Sequence, residues 1–361
     1  MGGPARSLAP FETSFGITTT RDIILAAVRS GDAVGWGECT AGEGPFYSDE
    51  FTNGAWEVLR QFIVPALVGA DVSHAAEIAA RLAPIKGHRM ARAAVETAVW
   101  DLEARLAGEP LWRRLGGTHD AIDCGVSIGL QPTVDGLLAK VEKELASGYR
   151  RIKIKIAPGR DVALVRAVRE RFGDIVLSVD ANSAYTLEDV DTLRELDRFG
   201  LLMIEQPLFA GDLIDHARLQ SILQTAICLD ESIVDDASAR QALEIGACRI
   251  VNIKLGRVGG HAEARRIAER CARANVPVWC GGMLEAGIGR LQNAAMSSLV
   301  PFTLPGDVSD SRRYWTRDIV TPRPTVDSDG RMRLPKAPGI GAEMDLEFVD
   351  SITTRREVFD A

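Results

Sequence analysis

Short apolar runs alternate with helix-like segments along the chain from about residue 122 onward. The intervening segments carry apolar residues at three- and four-residue spacing, which is typical of amphipathic helices. Eight strands that alternate with helices predict a parallel sheet, and eight such units can close into a (β/α)8 barrel of the TIM type. The apolar runs lie at 124–130, 151–156, 175–180, 201–206, 226–231, 249–254, 276–281 and 302–307.

The two ends of the chain do not share this repeat. Residues 1–118 combine a strand-like stretch at 23–38 with helical stretches, which predicts an α+β capping domain. The helical stretches lie at 53–68, 73–83 and 89–107. The opening segment MGGPARSLA has a poor strand pattern. Residues 119–308 form the predicted barrel. We expect residues 309–361 to be a C-terminal segment that packs back on the capping domain and completes it.

Five ionisable residues keep phase with the repeat. Each lies at the carboxyl end of its predicted strand, and successive members are separated by 25, 25, 25 and 24 positions. In a (β/α)8 barrel the carboxyl ends of the strands form the catalytic face. The five residues are Lys155, Asp180, Glu205, Asp230 and Lys254.

Three of these residues are carboxylates on consecutive strands, where they would repel one another unless something neutralised them. A divalent cation is the simplest answer. Oxygen ligands without cysteine or histidine favour Mg²⁺, or Mn²⁺, over zinc. The competing interpretation is that each carboxylate pairs with an arginine or a lysine.

Lys155 ends the second predicted strand and Lys254 the sixth, so they lie on opposite sides of a ring of eight strands. A substrate over the cation would meet one amine on each face. Alternation along the strand puts Lys153 beside Lys155. We expect Lys153 and the cation to lower the pKa of Lys155, and Arg257 to act in the same way on Lys254. The competing interpretation is a pair of surface lysines on exposed strand ends.

A cation on a substrate carboxylate, together with a lysine base, would allow removal of the weakly acidic neighbouring proton. Other functions are less compatible with the composition. The net charge of −8, without a basic tract, argues against nucleic-acid binding. No apolar run is long enough to cross a bilayer and no apolar signal region is present, so we expect a cytoplasmic protein without a membrane partner. The six scattered cysteines predict buried reduced thiols.

Six motifs together resemble the o-succinylbenzoate synthase / N-succinylamino acid racemase branch of the enolase superfamily. They are KIKIAPGRD, VDANSAY, IEQPL, LDESI, NIKLGRVGG and WCGGMLEAGIGR. The resemblance implies that Lys155 and Lys254 are an acid/base pair and that Asp180, Glu205 and Asp230 are metal ligands. Lys153, Asn182 and Glu231 would be their close supports. Members of this branch dehydrate a cyclohexadiene carboxylate to o-succinylbenzoate in menaquinone synthesis, racemise N-succinylamino acids, or do both.

The same resemblance implies a pocket for a succinyl arm. Its predicted lining is Ser127, Gly281, Gly282, Met283 and Leu284, with Phe15 and Tyr47 as walls from the capping domain. Ordinary packing between domains is the alternative interpretation of these two aromatic residues. The predicted partner is a small carboxylate substrate with a succinyl arm, bound by a homo-oligomeric enzyme.

Other members of the superfamily fit the residues less well. Mandelate-racemase-like enzymes use a histidine base on the seventh strand, where this chain has VPVWCG, and dipeptide epimerases carry Asp-x-Asp where it has GDVSD. Muconate cycloisomerases share the Lys-x-Lys pair and remain the nearest enzymatic alternative. A lyase of the Schiff-base class would not need three phased carboxylates. A non-catalytic barrel kept as a scaffold is the remaining alternative, and α-proton exchange in D2O would distinguish it.

Overall fold

The computed structural model describes residues 5–13 and 16–360, with side chains described from Thr20 to Asp360. The N-terminal part combines two antiparallel strand pairs with helices. The strands are β1 (Ala5–Thr13), paired with β2 (Gly16–Arg21), and β3 (Ile24–Ser30), paired with β4 (Ala33–Cys39). The prediction that the opening segment is a poor strand is wrong from Ala5 onward, because an antiparallel partner outweighs a weak intrinsic preference.

The helices of the N-terminal part pack around β3 and β4. They are α1 (Thr52–Val58), which continues as a π-helical turn over Leu59–Ile63, α2 (Glu77–Arg81), α3 (Arg89–Leu106) and α4 (Leu111–Arg114). Gly37 lets β4 lie directly on α3, since a Cβ at this position would come within 1.9 Å of the carbonyl oxygen of Ala94. The long helix α3 is therefore the support on which β4 rests.

Seven parallel strands form the central sheet, and they are hydrogen-bonded in the order in which they occur in the chain. The short strand β5 (Ala121–Asp123) precedes them. The seven are β6 (Gly125–Ile128), β7 (Arg151–Lys155), β8 (Val176–Asp180), β9 (Ile204–Glu205), β10 (Ile227–Leu229), β11 (Ile250–Ile253) and β12 (Val278–Cys280). The sequential order gives a curled sheet with all carboxyl ends on one edge.

Helices connect successive strands and cover one face of the sheet. They are α5 (Val134–Ala146), α6 (Val162–Phe172), α7 (Val190–Glu195), α8 (Leu213–Ile222), α9 (Asp236–Glu244), α10 (Leu255–Val258), α11 (His261–Arg273) and α12 (Gly287–Ser297). On β7, Ile152 and Ile154 are buried in one apolar cluster with helix residues such as Val165. Because side chains alternate along a strand, Lys153 and Lys155 take the opposite face.

Residues 302–307 lie between the two edge strands of this sheet. Phe302 forms a parallel bridge with Val278 of β12. At the other edge, the carbonyl oxygen of Gly306 accepts a hydrogen bond from the backbone N–H of Gly125 in β6 at 2.7 Å. The segment 302–307 therefore contacts both edges of the curled sheet.

The C-terminal elements extend back to the N-terminal helices. They are β13 (Val320–Thr321), β14 (Arg331–Arg333), β15 (Glu343–Met344) and α13 (Leu346–Ile352). β14 pairs with β5, and β13 pairs with β15. The carboxylate of Asp101 in α3 accepts a hydrogen bond from the N–H of Ile340 at 2.7 Å, and the indole of Trp112 in α4 donates to the carbonyl of Pro335 at 2.8 Å. Chain segments more than 200 residues apart in sequence are thereby joined.

All six cysteines are free and buried, which confirms the prediction of reduced thiols. They are Cys39, Cys124, Cys228, Cys248, Cys271 and Cys280. None of the helices in the described part of the chain has the length and apolar character that a membrane span requires.

Candidate active site

The carboxyl ends of β7, β8 and β9 bring three of the predicted residues side by side. Lys155 pairs with Asp180 in the parallel ladder, and Asp180 pairs with Glu205. Their exposures are 8%, 1% and 0% respectively. The Lys155 amine donates a hydrogen bond to Asp180 Oδ2 at 2.6 Å. The 25-residue spacing thus corresponds to a buried cluster of opposite charges.

Asp230 and Lys254 continue this cluster beyond β10 and β11. The Lys254 amine donates to Asp230 Oδ2 at 2.7 Å and to the hydroxyl of Tyr47 at 3.1 Å. The guanidinium of Arg257 also binds the Asp230 carboxylate. Lys254 Nζ lies 4.6 Å from the centroid of the Tyr47 ring. Tyr47, which comes from the N-terminal part, therefore lies directly against one of the two predicted acid/base lysines.

The prediction that Arg257 lowers the pKa of Lys254 does not hold. Burial is the largest single effect and lowers the pKa of the Lys254 amine. Four neighbouring groups together raise it by more, so the pKa lies above its ordinary value; they are Tyr47, Glu231, Glu205 and Asp180. Arg257 is itself bound to Asp230, and that carboxylate neutralises its positive charge. The prediction was wrong because it counted the cationic neighbour and not the carboxylates around both groups.

Each predicted metal-ligand carboxylate is held by a cation of the protein. Asp180 binds Lys155, Asp230 binds Lys254, and Lys153 Nζ donates to Glu205 Oε2 at 2.7 Å. Over the residues with described side chains, no three Asp, Glu, His or Cys side chains are arranged to hold a metal ion as they stand. The ammonium groups act as the counter-charges, which is the pairing that the sequence left open as an alternative.

The donor set nevertheless fits a hard divalent cation. Asp180, Glu205 and Asp230 offer only oxygen atoms, and none of them is more than 1% exposed. The neighbouring Glu231 has a buried Oε2 without a hydrogen-bond partner among the described residues, and burial raises the pKa of its carboxyl group. A buried oxygen left without a partner is costly. Carboxylate oxygens are the ligands that Mg²⁺ prefers.

Asn182 links Lys155 to the acidic cluster. Its Oδ1 accepts a hydrogen bond from the Lys155 amine at 2.5 Å, and its Nδ2 donates to Glu231 Oε1 at 2.9 Å. Asn182 has a φ of 43°, a left-handed conformation that asparagine tolerates better than most residues. The amide therefore orients the Lys155 amine and the Glu231 carboxylate at once.

Lys153 is bound by a further carboxylate, that of Asp307, which was not among the predicted site residues. Asp307 Oδ2 lies 2.8 Å from the Lys153 amine, and Oδ1 accepts from the guanidinium of Arg151 at 2.5 Å. Burial raises the pKa of Asp307, but Arg151 and Lys153 outweigh burial and hold it below its usual range. The available signal was the position of Asp307 at the end of the eighth apolar run, outside the 25-residue phase.

The predicted pocket residues Gly281, Gly282, Met283 and Leu284 directly follow β12. A Cβ on Gly281 would come within 2.8 Å of Lys254 Cε, so this position lies against the lysine. The N–H of Met283 donates to Glu285 Oε1 at 2.7 Å. Leu284 has a φ of 57°, in the left-handed region that is costly for a residue with a bulky side chain.

Of the two remaining predicted pocket residues, the structure describes Ser127 but not Phe15. Ser127 lies opposite Lys153 in the ladder between β6 and β7, and its hydroxyl is buried without a hydrogen-bond partner among the described residues. Phe15 lies outside the described residues. Ser127 is thus close to the charged cluster, and the prediction for Phe15 stays a prediction.

Two family models match the chain. The Mandelate racemase / muconate lactonizing enzyme N-terminal domain matches residues 3–116, and the Enolase C-terminal domain-like family matches residues 136–349. The C-terminal match alone covers more than half of the 361 residues.

Individual relatives are similar over nearly the whole chain. The o-succinylbenzoate synthase of Geobacillus kaustophilus is 54% identical over 97% of this chain and 94% of its own. The N-succinylamino acid racemase of an Amycolatopsis species is 49% identical over 97% of this chain and 95% of its own. A solved structure of an enolase superfamily member from Listeria innocua superposes with a TM-score of 0.93 at 42% identity, covering 96% of this chain and 94% of that one. The chain therefore belongs to the enolase superfamily and, within it, to the family of o-succinylbenzoate synthase and N-succinylamino acid racemase enzymes.

Proposed function

We propose that this enzyme removes the proton α to the carboxylate of a small substrate that carries a succinyl arm. The reaction is the dehydration that forms o-succinylbenzoate, the racemisation of an N-succinylamino acid, or both, since the two begin with the same proton abstraction. One observation carries the proposal: the amines of Lys155 and Lys254 join one buried carboxylate cluster from strands four apart in the sheet. The activities named for the relatives support it.

We assign the proton transfers to Lys155 and Lys254. Racemisation needs one lysine to take the proton from one face of the α-carbon and the other to deliver a proton to the opposite face. Dehydration needs one lysine, which takes the proton and then returns it to the departing hydroxyl on the same face. The contacts of Lys155 with Asn182 and of Lys254 with Tyr47 support fixed positions for both amines.

Asp180, Glu205 and Asp230 are the proposed ligands of Mg²⁺, for which Mn²⁺ could substitute. When bound, the cation supplies positive charge to the substrate carboxylate and stabilises the charge that develops as the proton leaves. The chain supports these ligands individually, since Lys153 binds Glu205 and Arg257 binds Asp230. The remaining proposed support comes from Glu231 and from Asn182, which accepts a hydrogen bond from Lys155 and donates one to Glu231.

We further propose that residues 302–307 act as the eighth strand of a closed (β/α)8 barrel. Their hydrogen bonds to β6 and β12 support this closure. The barrel then comprises residues 119–308, with residues 1–118 as the capping domain and 309–361 as the segment that completes it.

The proposed pocket for the succinyl arm consists of Ser127 and residues 281–284, with Phe15 and Tyr47 as its walls. The contact of Tyr47 with Lys254 supports this assignment, since it brings an aromatic ring of the capping domain to the reacting end of the pocket. The arm would lie between elements from both domains.

The test is an assay of the purified enzyme on both substrate classes side by side. We expect turnover of at least one class, and exchange of the α-proton with solvent deuterium. EDTA should abolish the activity, and Mg²⁺ or Mn²⁺ should restore it, because all proposed ligands are carboxylate oxygens. Activity that ignores the chelator would remove the metal from the proposal. A Mg²⁺-supplied enzyme that exchanges no α-proton in either class would refute the function.

A further inference from the structure

Two loops lie against the side chain of Lys254. The N-terminal loop, residues 40–48, contributes Tyr47, whose hydroxyl accepts a hydrogen bond from Lys254. The strand-end loop, residues 281–284, begins at Gly281, where a Cβ would come within 2.8 Å of Lys254 Cε. The separation of these two loops therefore determines the space available beside Lys254.

One buried arginine joins the two loops. Arg21 ends β2 and is only 7% exposed. Its guanidinium donates to the carbonyl oxygens of Thr40 and Ala41 in the N-terminal loop, at 3.1 and 3.2 Å. It also donates to the carbonyl oxygen of Met283 in the strand-end loop, at 3.2 Å. A planar guanidinium can hold three carbonyls at fixed angles, which a lysine ammonium on a flexible stem does much less well.

The strand-end loop needs such support because its backbone is strained. Leu284 has a φ of 57°, and residues in this region persist only where surrounding contacts hold them. The adjacent Met283 is held on both sides, by Arg21 at its carbonyl and by Glu285 at its N–H. Glu285 is in turn fixed by the amide of Asn293 at 2.8 Å. Removal of Arg21 releases one of the two contacts that hold this conformation.

Arg21 also supplies the positive charge beside two buried carboxylates. Glu38 and Glu285 are 4% and 2% exposed, and both interact with the Arg21 charge. Glu38 belongs to β4, but it accepts hydrogen bonds from the N–H groups of Ala286 and Gly289 at the start of α12. Burial lowers the pKa of Arg21, and the two carboxylates oppose this effect. The guanidinium is therefore placed where both parts of the molecule contribute negative charge.

We propose that Arg21 is a positioning residue that sets substrate selectivity by fixing the separation of the N-terminal loop and the strand-end loop. It thereby sets the width of the proposed pocket, which takes the succinyl arm, the part of the substrate that does not react. Binding energy from that part is used to orient the reacting end of the substrate. A wider pocket should therefore lower kcat/KM for a substrate with the complete succinyl arm more than for one with a shorter arm. The inference rests on the proposed function, since it takes these loops as the walls of the succinyl pocket.

The experiment compares kcat/KM for an N-succinylamino acid with that for the corresponding N-acetylamino acid, which lacks the terminal carboxylate of the arm. The ratio is measured in the wild type, Arg21→Lys and Arg21→Met. We expect Arg21→Met to lower the ratio about 10-fold, the effect of roughly one charged hydrogen bond. Arg21→Lys should lower it less. Exchange of the α-proton in D2O should persist in both variants, because neither acid/base lysine is altered.

Arg105→Met provides the matched control. Arg105 is a largely buried arginine on α3 that donates to the carbonyl of Ala342 at 2.8 Å and binds Asp101, far along the chain from both loops. Its loss should lower stability and leave the substrate ratio unchanged. If Arg21→Met folds poorly, Arg21→Lys supplies the ratio. An unchanged ratio in an active Arg21 variant overturns the inference alone, whereas a wild type without α-proton exchange refutes the proposed function and the inference with it.

Discussion

Replacement of Lys254 by alanine tests whether two lysines act on opposite faces. The Lys254 amine contacts Asp230 at 2.7 Å and Tyr47 at 3.1 Å, so the change removes one amine and leaves Asp230 bound to Arg257. A positioned acid or base contributes a factor of about 10² to 10⁴ in rate. This factor corresponds to about 3 to 5 kcal/mol in the barrier. Racemisation from both enantiomers should fall by that factor, because each direction needs both lysines.

Polarimetry would follow racemisation, and NMR in D2O would follow exchange of the α-proton. Exchange should survive for the enantiomer whose α-proton faces Lys155. Because Asp230 keeps Arg257, the free energy of unfolding should fall by less than the ~3–5 kcal/mol expected for a buried charge without any partner. Lys140→Ala, at an exposed position on α5, serves as the control. Unchanged racemisation by the Lys254 variant would refute the two-lysine mechanism.

Two further predictions concern buried carboxylates. Asp307→Asn removes the negative charge shared by Arg151 and Lys153 and should lower the free energy of unfolding in urea by about 3 kcal/mol. Asp123→Asn is the control: it breaks an exposed ion pair and should lower the free energy of unfolding by less than about 1 kcal/mol. Equal losses of stability in the two variants would contradict the prediction. Burial raises the pKa of Glu96 from 4.5 to about 7, so the folded state binds a proton there that the unfolded state has released. The free energy of unfolding should therefore fall by about 3 kcal/mol as the pH rises through this window. Glu96→Gln should remove that part of the pH dependence. The free energy of unfolding would be measured for both proteins at pH 5 and at pH 8, and an equal change in the two proteins would contradict the prediction.

The strand-end residues were predictable because a parallel sheet repeats regularly in sequence. Lys155, Asp180 and Glu205 are one repeat apart, and they are direct neighbours in the ladder. The alternation of side chains along β7 likewise predicts that Lys153 and Lys155 share one face. These predictions depend on local periodicity, which a single sequence carries.

Contacts between distant segments have no such signal. Tyr47 meets Lys254 across 207 residues, and Arg21 meets Met283 across 262 residues. The opening strand β1 was missed for the same reason, since its partner strand and not its own composition decides its structure. The raised pKa of Lys254 was missed because it depends on how many carboxylates surround the amine, which strand order alone does not count.

Three lysines, Lys153, Lys155 and Lys254, form ion pairs with buried carboxylates, and a reason is needed for burying these charges. A buried ion pair contributes little net stability, because the cost of removing two charges from water is close to the attraction that they gain. Apolar residues of similar volume are often as stable or more stable at such positions. Stability therefore does not account for Lys153, Lys155 and Lys254 lying among buried carboxylates at one edge of the sheet. A reaction that needs fixed amines beside carboxylates that can hold a cation does account for them, and this is why we assign the chemistry to that edge.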